Sequence, residues 1–159
     1  MKKLLILTAV PGSGKSTWAR KYKETHDNVY IVSSDEIRLE LTFSHSYLDF
    51  SHQKDVWELF SQRIHEYSKL NDDVTVILDA LCDLNRLRIQ YVMENPEFDY
   101  YELVMIKKDR KSAEEYNKQR GEEHWVPDEV LQKLFDKFEE PNDEVKKVFN
   151  KVTVIDYYF

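Results

Sequence analysis

Apolar positions along this chain follow two alternating rhythms. Short solid runs come first: Leu4-Leu5-Ile6-Leu7, Val29-Tyr30-Ile31-Val32, Val74-Thr75-Val76-Ile77-Leu78, Leu103-Val104-Met105-Ile106 and Val152-Thr153-Val154-Ile155. Runs of this length, rich in β-branched residues, read as strands buried on both faces. Between them the spacing becomes helical. Trp18, Ala19 and Tyr22 give an inward face to a helix from Lys15 to about His26, and Asp35 to about Leu41 follows with Ser34 as its cap. Val56, Phe60, Ile64 and Tyr67 mark a long helix from His52 to Leu70. Leu87 and Tyr91 lie on one face of a helix from Asp83, its expected cap, to about Glu94, which Asn95-Pro96 stops. A helix over about 112–119 is followed by one opened by Pro127, in which Val130, Leu131, Leu134, Phe135 and Phe138 pack inward. Pro141-Asn142-Asp143 turns the chain into a last strand, Lys151 to Asp156.

Strands alternating with helices from end to end predict an α/β fold: one doubly wound, five-stranded parallel sheet flanked by helices. At 159 residues, with no linker, repeat or low-complexity segment, the prediction is a single domain, 1–159. Thr42 to Ser51, which includes His45, has no clear periodicity and reads as a loop over the site; the aromatic tail Tyr157-Tyr158-Phe159 reads as core-docked or as a partner contact.

Composition narrows the classes. Cys82 is the one cysteine, which excludes an intrachain disulfide and fits a reducing cytoplasm. No apolar stretch approaches the ~20 residues of a spanning helix, and the run after Met1-Lys2-Lys3 ends too soon, without a small-residue cleavage site, for a signal peptide. The net charge of −7 argues against non-specific nucleic-acid binding. His45 and His52 have no Cys or further His at ligand spacing, so no transition-metal site is expected.

The strongest chemical signal sits where the first strand meets the first helix. Pro11-Gly12-Ser13-Gly14-Lys15-Ser16-Thr17 has the sequence of a phosphate-binding loop in the setting such a loop needs. Its glycines allow positive φ, so that successive N–H groups face an anion at the helix N-terminus. Ala9 stands where the general pattern has its first glycine, the mildest replacement available. Lys15 would reach the β- and γ-phosphates of ATP, and the Ser16 hydroxyl would hold Mg²⁺.

The ends of the next two strands carry acids where an open parallel sheet places its ligands. Asp35, one helical turn from Arg38, can accept the proton of an attacking hydroxyl, and Arg38 can grip an anionic part of the acceptor. The plainer alternative is a helix-start carboxylate with a surface ion pair. Asp79 can hold Mg²⁺, directly or through water, or orient Arg38 or the acceptor; its position does not choose. Cys82 reads as a small buried thiol. Residues 112–130 have the build of a helical lid: helix, Arg120-Gly121 as a glycine C-cap, a polar loop and a proline-started helix. Arg120 would swing over the triphosphate and offset charge on the leaving oxygen.

Taken in order, PGSGKSTWAR (Pro11 to Arg20), the Asp35…Arg38 pair, VILDA with the downstream Arg86, and NKQRG…VPDEVL (Asn117 to Leu131) resemble the kinase domain of phage-type polynucleotide kinases and related small P-loop kinases. The resemblance spans most of the chain. It implies ATP and Mg²⁺ at Lys15 and Ser16, Asp35 as general base, Arg38 on an acceptor phosphate and Arg120 as the lid arginine. Ala80 and Leu81 stand where those relatives carry a hydroxyl and an amide, and Tyr116 where a second arginine occurs. Zeta-toxin-like and antibiotic-modifying kinases resemble the same layout. The expected activity is therefore transfer of the ATP γ-phosphoryl to a hydroxyl, with a nucleic-acid 5′-end as the leading acceptor. The alternative acceptor is a small molecule, nucleotide or sugar nucleotide. A nucleotide-dependent switch is disfavoured, because Asn117-Lys118-Gln119-Arg120 lacks the Asp of a guanine-reading N-K-x-D motif.

Overall fold

A computed structural model of the chain describes residues 1–42, 51–121 and 125–156. Residues 43–50 of the expected loop (with His45), residues 122–124 in the middle of the expected lid loop and the aromatic tail lie outside the described residues, and Thr42 closes a helix rather than opening the loop. The elements in chain order are β1 (Lys2–Thr8), α1 (Lys15–Thr25), β2 (Val29–Ser33), α2 (Ser34–Thr42), α3 (Gln53–Ser68), β3 (Val74–Asp79), α4 (Asn85–Glu94), β4 (Tyr100–Lys107), α5 (Arg110–Gln119), α6 (Asp128–Lys137), α7 (Asp143–Val148) and β5 (Lys151–Asp156). The strands form one sheet in the order β2-β3-β1-β4-β5, every neighbouring pair parallel, as the alternation of patterns predicts.

The unbroken apolar runs have their explanation in this order. β1 is central, and Leu4 through Leu7 are all 0% exposed. Because side chains alternate across a strand, Leu4 and Ile6 join Val76, Leu78 and Leu103 under Val56, Phe60 and Ile64 of α3 and Val92 of α4. Leu5 and Leu7 join Ile77, Val104 and Ile106 under Ala19 of α1, with Trp18 and Tyr22 packed alongside. Full burial of each such side chain is worth about 1.5–3 kcal/mol.

Four local features differ from expectation, each for a physical reason. α2 begins at Ser34, and its cap is Ser33, whose Oγ accepts from the Glu36 N–H at 3.3 Å. α4 begins at Asn85, and Asp83 does not cap it; that amide is served from across the fold, Glu139 Oε1 accepting from the Asn85 N–H at 2.8 Å. The turn expected at 141–143 opens a short helix, α7, with Asn142 Oδ1 accepting from the Val145 N–H at 2.9 Å. Six residues are too few to display a helical period. α5 ends without a left-handed glycine: Arg120 is the extended C-cap (φ −73, ψ 149), and positive φ occurs among the glycines at Gly12 and Gly14 only. No helix among the described residues is long and apolar enough to cross a membrane.

Candidate active site

Three strand ends meet at one edge of the sheet. β1 runs into the phosphate loop, β2 into Asp35, and β3 finishes at Asp79, which pairs in register with Ser33. The loop turns at Gly12 (φ 83) and Gly14 (φ 85), a region costly for any other residue. A Cβ on Gly12 would also sit 2.5 Å from the Ala113 carbonyl oxygen, so the start of α5 is seated directly on the loop. α1 opens at Gly14 with no side-chain cap, leaving its first N–H groups to the loop's concavity. Ser13 Oγ is buried there without a hydrogen-bond partner.

Lys15 and Ser16 both turn toward β3. Lys15 Nζ donates to the Ala80 carbonyl at 3.0 Å and lies 3.5 Å from Asp79 Oδ1. Ser16 Oγ donates to Asp79 Oδ2 at 2.7 Å. A hydroxyl and a carboxylate converging at the phosphate loop form the all-oxygen donor set that Mg²⁺ takes up alongside water and substrate phosphates. Ser16 and Asp79 therefore fit that ion. Asp79 is 7% exposed, so solvent screens its charge less than it would a surface carboxylate.

Beyond the loop the cavity continues between α2 and α3. Arg38 Nη1 donates to Asp35 Oδ1 at 3.0 Å. The pair is half-buried: Arg38 is 5% exposed with its Nε buried and unpartnered, while the Asp35 side chain is 41% exposed to the cavity and solvent. Trp57 and Tyr67 line the wall, with Gln53, whose Oε1 is likewise buried and unpartnered. Arg63 closes this end through a two-point pair with Glu40.

The segment expected to form a lid borders the same space. Arg120, Gly121 and Val126 line the same cavity of about 790 Å³ as the phosphate loop, Asp35, Arg38 and Asp79. Burial pulls the Arg120 guanidinium below its ordinary pKa, while the charges of Asp35 and Asp79 draw it back up. Tyr116 also faces this cavity, and the ammonium of Lys108 sits 4.8 Å from its ring centroid, so a cation lies close to this aromatic position. The structure thus gathers Lys15, Ser16, Asp35, Arg38, Asp79 and Arg120, predicted from four separate stretches, around one space.

Sequence reasoning missed three residues. Asn117 is fully buried and exchanges two hydrogen bonds with the backbone of Val126. Gln53 shows no motif at all. Arg88, rather than the exposed Arg86 of the motif, enters the core. Its guanidinium donates to the Cys82 carbonyl (3.1 Å), Thr8 Oγ1 (2.8 Å) and Asn85 Oδ1 (2.8 Å) and lies 5.2 Å from the Phe138 ring centroid. Burial lowers its pKa. It ties the last residue of β1 to the loop after β3, immediately beneath the site. Cys82 is 1% exposed, and burial pushes its thiol up to about 12, which leaves it inert.

The family model described as chromatin associated protein KTI12 matches residues 2–148. The chain belongs to the KTI12 family. Among solved structures, Chaetomium thermophilum Kti12 in complex with ADP-AlF3 superposes with a TM-score of 0.73 at 20% identity, over 98% of this chain and 89% of that one. A chain of the Pnkp1/Rnl/Hen1 RNA repair complex gives 0.73 at 24% identity, over 94% of this chain and 46% of that one. A gluconokinase from Sinorhizobium meliloti 1021 gives 0.62 at 16% identity, over 99% and 83%. The fold is the P-loop kinase-like fold of these neighbours, as the resemblance to polynucleotide kinases and small P-loop kinases anticipates.

Proposed function

We propose that the chain is an ATP-dependent phosphotransferase moving the γ-phosphoryl group to an acceptor hydroxyl, with a polynucleotide 5′-hydroxyl as the leading acceptor. One observation carries the reading: a single cavity is lined by a phosphate loop, a carboxylate beyond β2, a buried arginine beside it and a lid arginine. Triphosphate settles on the amides around Gly12 and Gly14, and the unpartnered Ser13 hydroxyl has a ready acceptor in it. Lys15 meets the β- and γ-phosphates. Ser16 and Asp79 would hold Mg²⁺, which neutralises phosphate charge. Asp35 accepts the hydroxyl proton as the acceptor oxygen bonds to the γ-phosphorus, and the bond to the bridging oxygen breaks with ADP departing. Lys15 and Arg120 offset the charge on that oxygen. Arg38 holds an anionic group of the acceptor, its Nε pointing to a partner the apo chain lacks.

Family membership favours a second reading. The Kti12 neighbour is in complex with ADP-AlF3, a mimic of the phosphoryl group in flight, and its family description names no phosphorylated acceptor, so the second reading is ATP hydrolysis with water as the acceptor. The acidic net charge of −7 in turn favours a small acceptor over a long nucleic acid. The deciding experiment measures ADP release from ATP with no acceptor and with 5′-hydroxyl DNA and RNA oligonucleotides, nucleosides, nucleotides and sugar nucleotides. The expected result is ADP formed in equal amount with a phosphorylated oligonucleotide, and lost in Lys15→Ala. ADP without any phosphorylated product establishes hydrolysis, and no ADP under any condition overturns both readings.

A further inference from the structure

One tightly held polar side chain near the cavity belongs to a residue with no place in the chemistry above. Asn117 is 0% exposed. Its Oδ1 accepts from the Val126 N–H at 3.0 Å, and its Nδ2 donates to the Val126 carbonyl at 2.6 Å. The amide copies one rung of a sheet ladder, and it does so across the lid segment, nine residues apart. The main chain of Asn117 adds a third tie, its carbonyl accepting from the Arg120 N–H at 3.2 Å. A fourth lies inside the same loop, where the Trp125 N–H donates to the Gly121 carbonyl at 3.0 Å.

These ties surround one residue. α5 ends at Gln119 and the backbone at Arg120 turns extended, so the helix no longer fixes where its side chain goes. What fixes it is the pair of anchor points before and after, residues 117 and 126. Val126 itself lines the cavity together with Arg120. A leucine of similar size at 117 would fill the volume but leave the Val126 N–H and carbonyl buried and unpaired; a carboxylate would satisfy the first and oppose the second. Only a carboxamide meets both.

We propose that Asn117 is a positioning residue that sets Arg120 over the cavity by clamping the backbone of Val126. The inference rests on the phosphotransferase reading for its consequence in turnover, but not for the clamp. A residue that only filled the core would lower stability without singling out Arg120. A positioning residue acts through Arg120 and through nothing else in the site.

The test uses the full chain as wild type, Asn117→Asp, Asn117→Ala, Arg120→Ala and the doubles of each Asn117 variant with Arg120→Ala. Turnover is measured at saturating ATP and as a function of ATP. Displacing a catalytic group by about 1 Å costs on the order of 10²-fold, so kcat in Asn117→Asp falls by about that factor while the KM for ATP stays within about twofold. In the double variants the second change adds nothing to Arg120→Ala, the signature of two residues acting as one unit. Additive losses, or a KM effect matching the kcat effect, overturn the proposal. A second readout is independent of turnover. Trypsin needs the Arg120 side chain free to cut before Gly121, so the clamp protects that bond. Mass-mapped limited proteolysis is expected to show the Arg120–Gly121 cut at least about tenfold faster in Asn117→Asp, a rate set by the population of the opened lid. An unchanged rate at that bond in a variant that still melts cooperatively overturns the clamp. If wild type consumes no ATP, the phosphotransferase reading fails by itself, and the proteolysis still decides whether Asn117 holds Arg120.

Discussion

At one end of the cavity Asp79 already holds a hydrogen bond from Ser16 and an ion pair with Lys15; at the other, Arg38 has one ion pair, to Asp35, and a buried Nε with no partner. The first end is assembled by backbone. Two positive-φ glycines, a helix N-terminus and a strand terminus dictate where donors and acceptors lie, and the side chains need only follow. The second end is assembled by side chains from two helices, α2 and α3, and it leaves polar atoms open at Arg38 and Gln53. Both ends keep hydrogen-bonding capacity unspent, the first in the loop itself, at Ser13 Oγ and the uncapped N–H groups of α1, the second on helix side chains, at Arg38 and Gln53.

The comparison breaks most visibly at Asp35. If it belongs to the acceptor end, Asp35→Asn lowers phosphoryl transfer by about 10²–10⁴-fold, the usual worth of a general base, while ATP binding stays near wild type. Rapid-quench turnover and a nucleotide titration check the two halves. Loss of ATP binding would move Asp35 to the nucleotide end and erase the division.

The nucleotide end should also be the stiffer of the two, and Arg88 tests that. Arg88→Ala removes charge-assisted bonds to Thr8, Cys82 and Asn85 beneath the phosphate loop. With each such bond worth about 1.5–3 kcal/mol and their losses overlapping, the expected destabilisation is about 3 kcal/mol in urea unfolding. A loss below about 0.5 kcal/mol, the size of an ordinary surface change, would mean that the base of this end is not held by Arg88.

The same contrast explains what could be read from the chain. The phosphate loop, the five strands and the acids at their ends were legible because each is local: a run, a glycine spacing, an acid after a strand. Arg38 announced itself only as one turn from Asp35, and its burial was not legible, since α3 and the cavity wall cover it. Arg88 and Asn117 were invisible because their partners lie in distant segments or in backbone, and Gln53 because its place on the cavity wall follows from packing alone. The caps failed for a related reason. Asp83 has the right composition for a cap, but Glu139, some fifty residues on, does the capping, and α7 was too short to show a period.

A smaller effect separates Arg38 from Lys15. Arg38→Ala is expected to raise the acceptor KM by about 10–100-fold, the equivalent of one charge-assisted hydrogen bond or two, with the ATP KM changed little. Steady-state kinetics with each substrate varied in turn measure both. The reverse ordering would put Arg38 on the nucleotide.

The smallest effect is at the far wall, where Glu40 and Arg63 join α2 to α3. Hydrogen bonding from Arg63 holds the Glu40 carboxyl below its ordinary 4.5, against a smaller opposing cost of burial. The folded value is the lower one, so the pair's contribution is complete above the unfolded value and disappears as pH falls through the folded one. Glu40 is 50% exposed, so solvent screening limits the pair, and about 0.2–1 kcal/mol is the expected size. Urea unfolding of wild type and Glu40→Gln should differ by that amount at pH 7, less in high salt, and converge as the pH falls through the lowered folded value of Glu40. A difference of several kcal/mol, or one that persists in acid, would show that this wall is as firmly built as the phosphate end. A small, salt-sensitive and acid-labile difference is what a wall able to yield to an incoming acceptor should show.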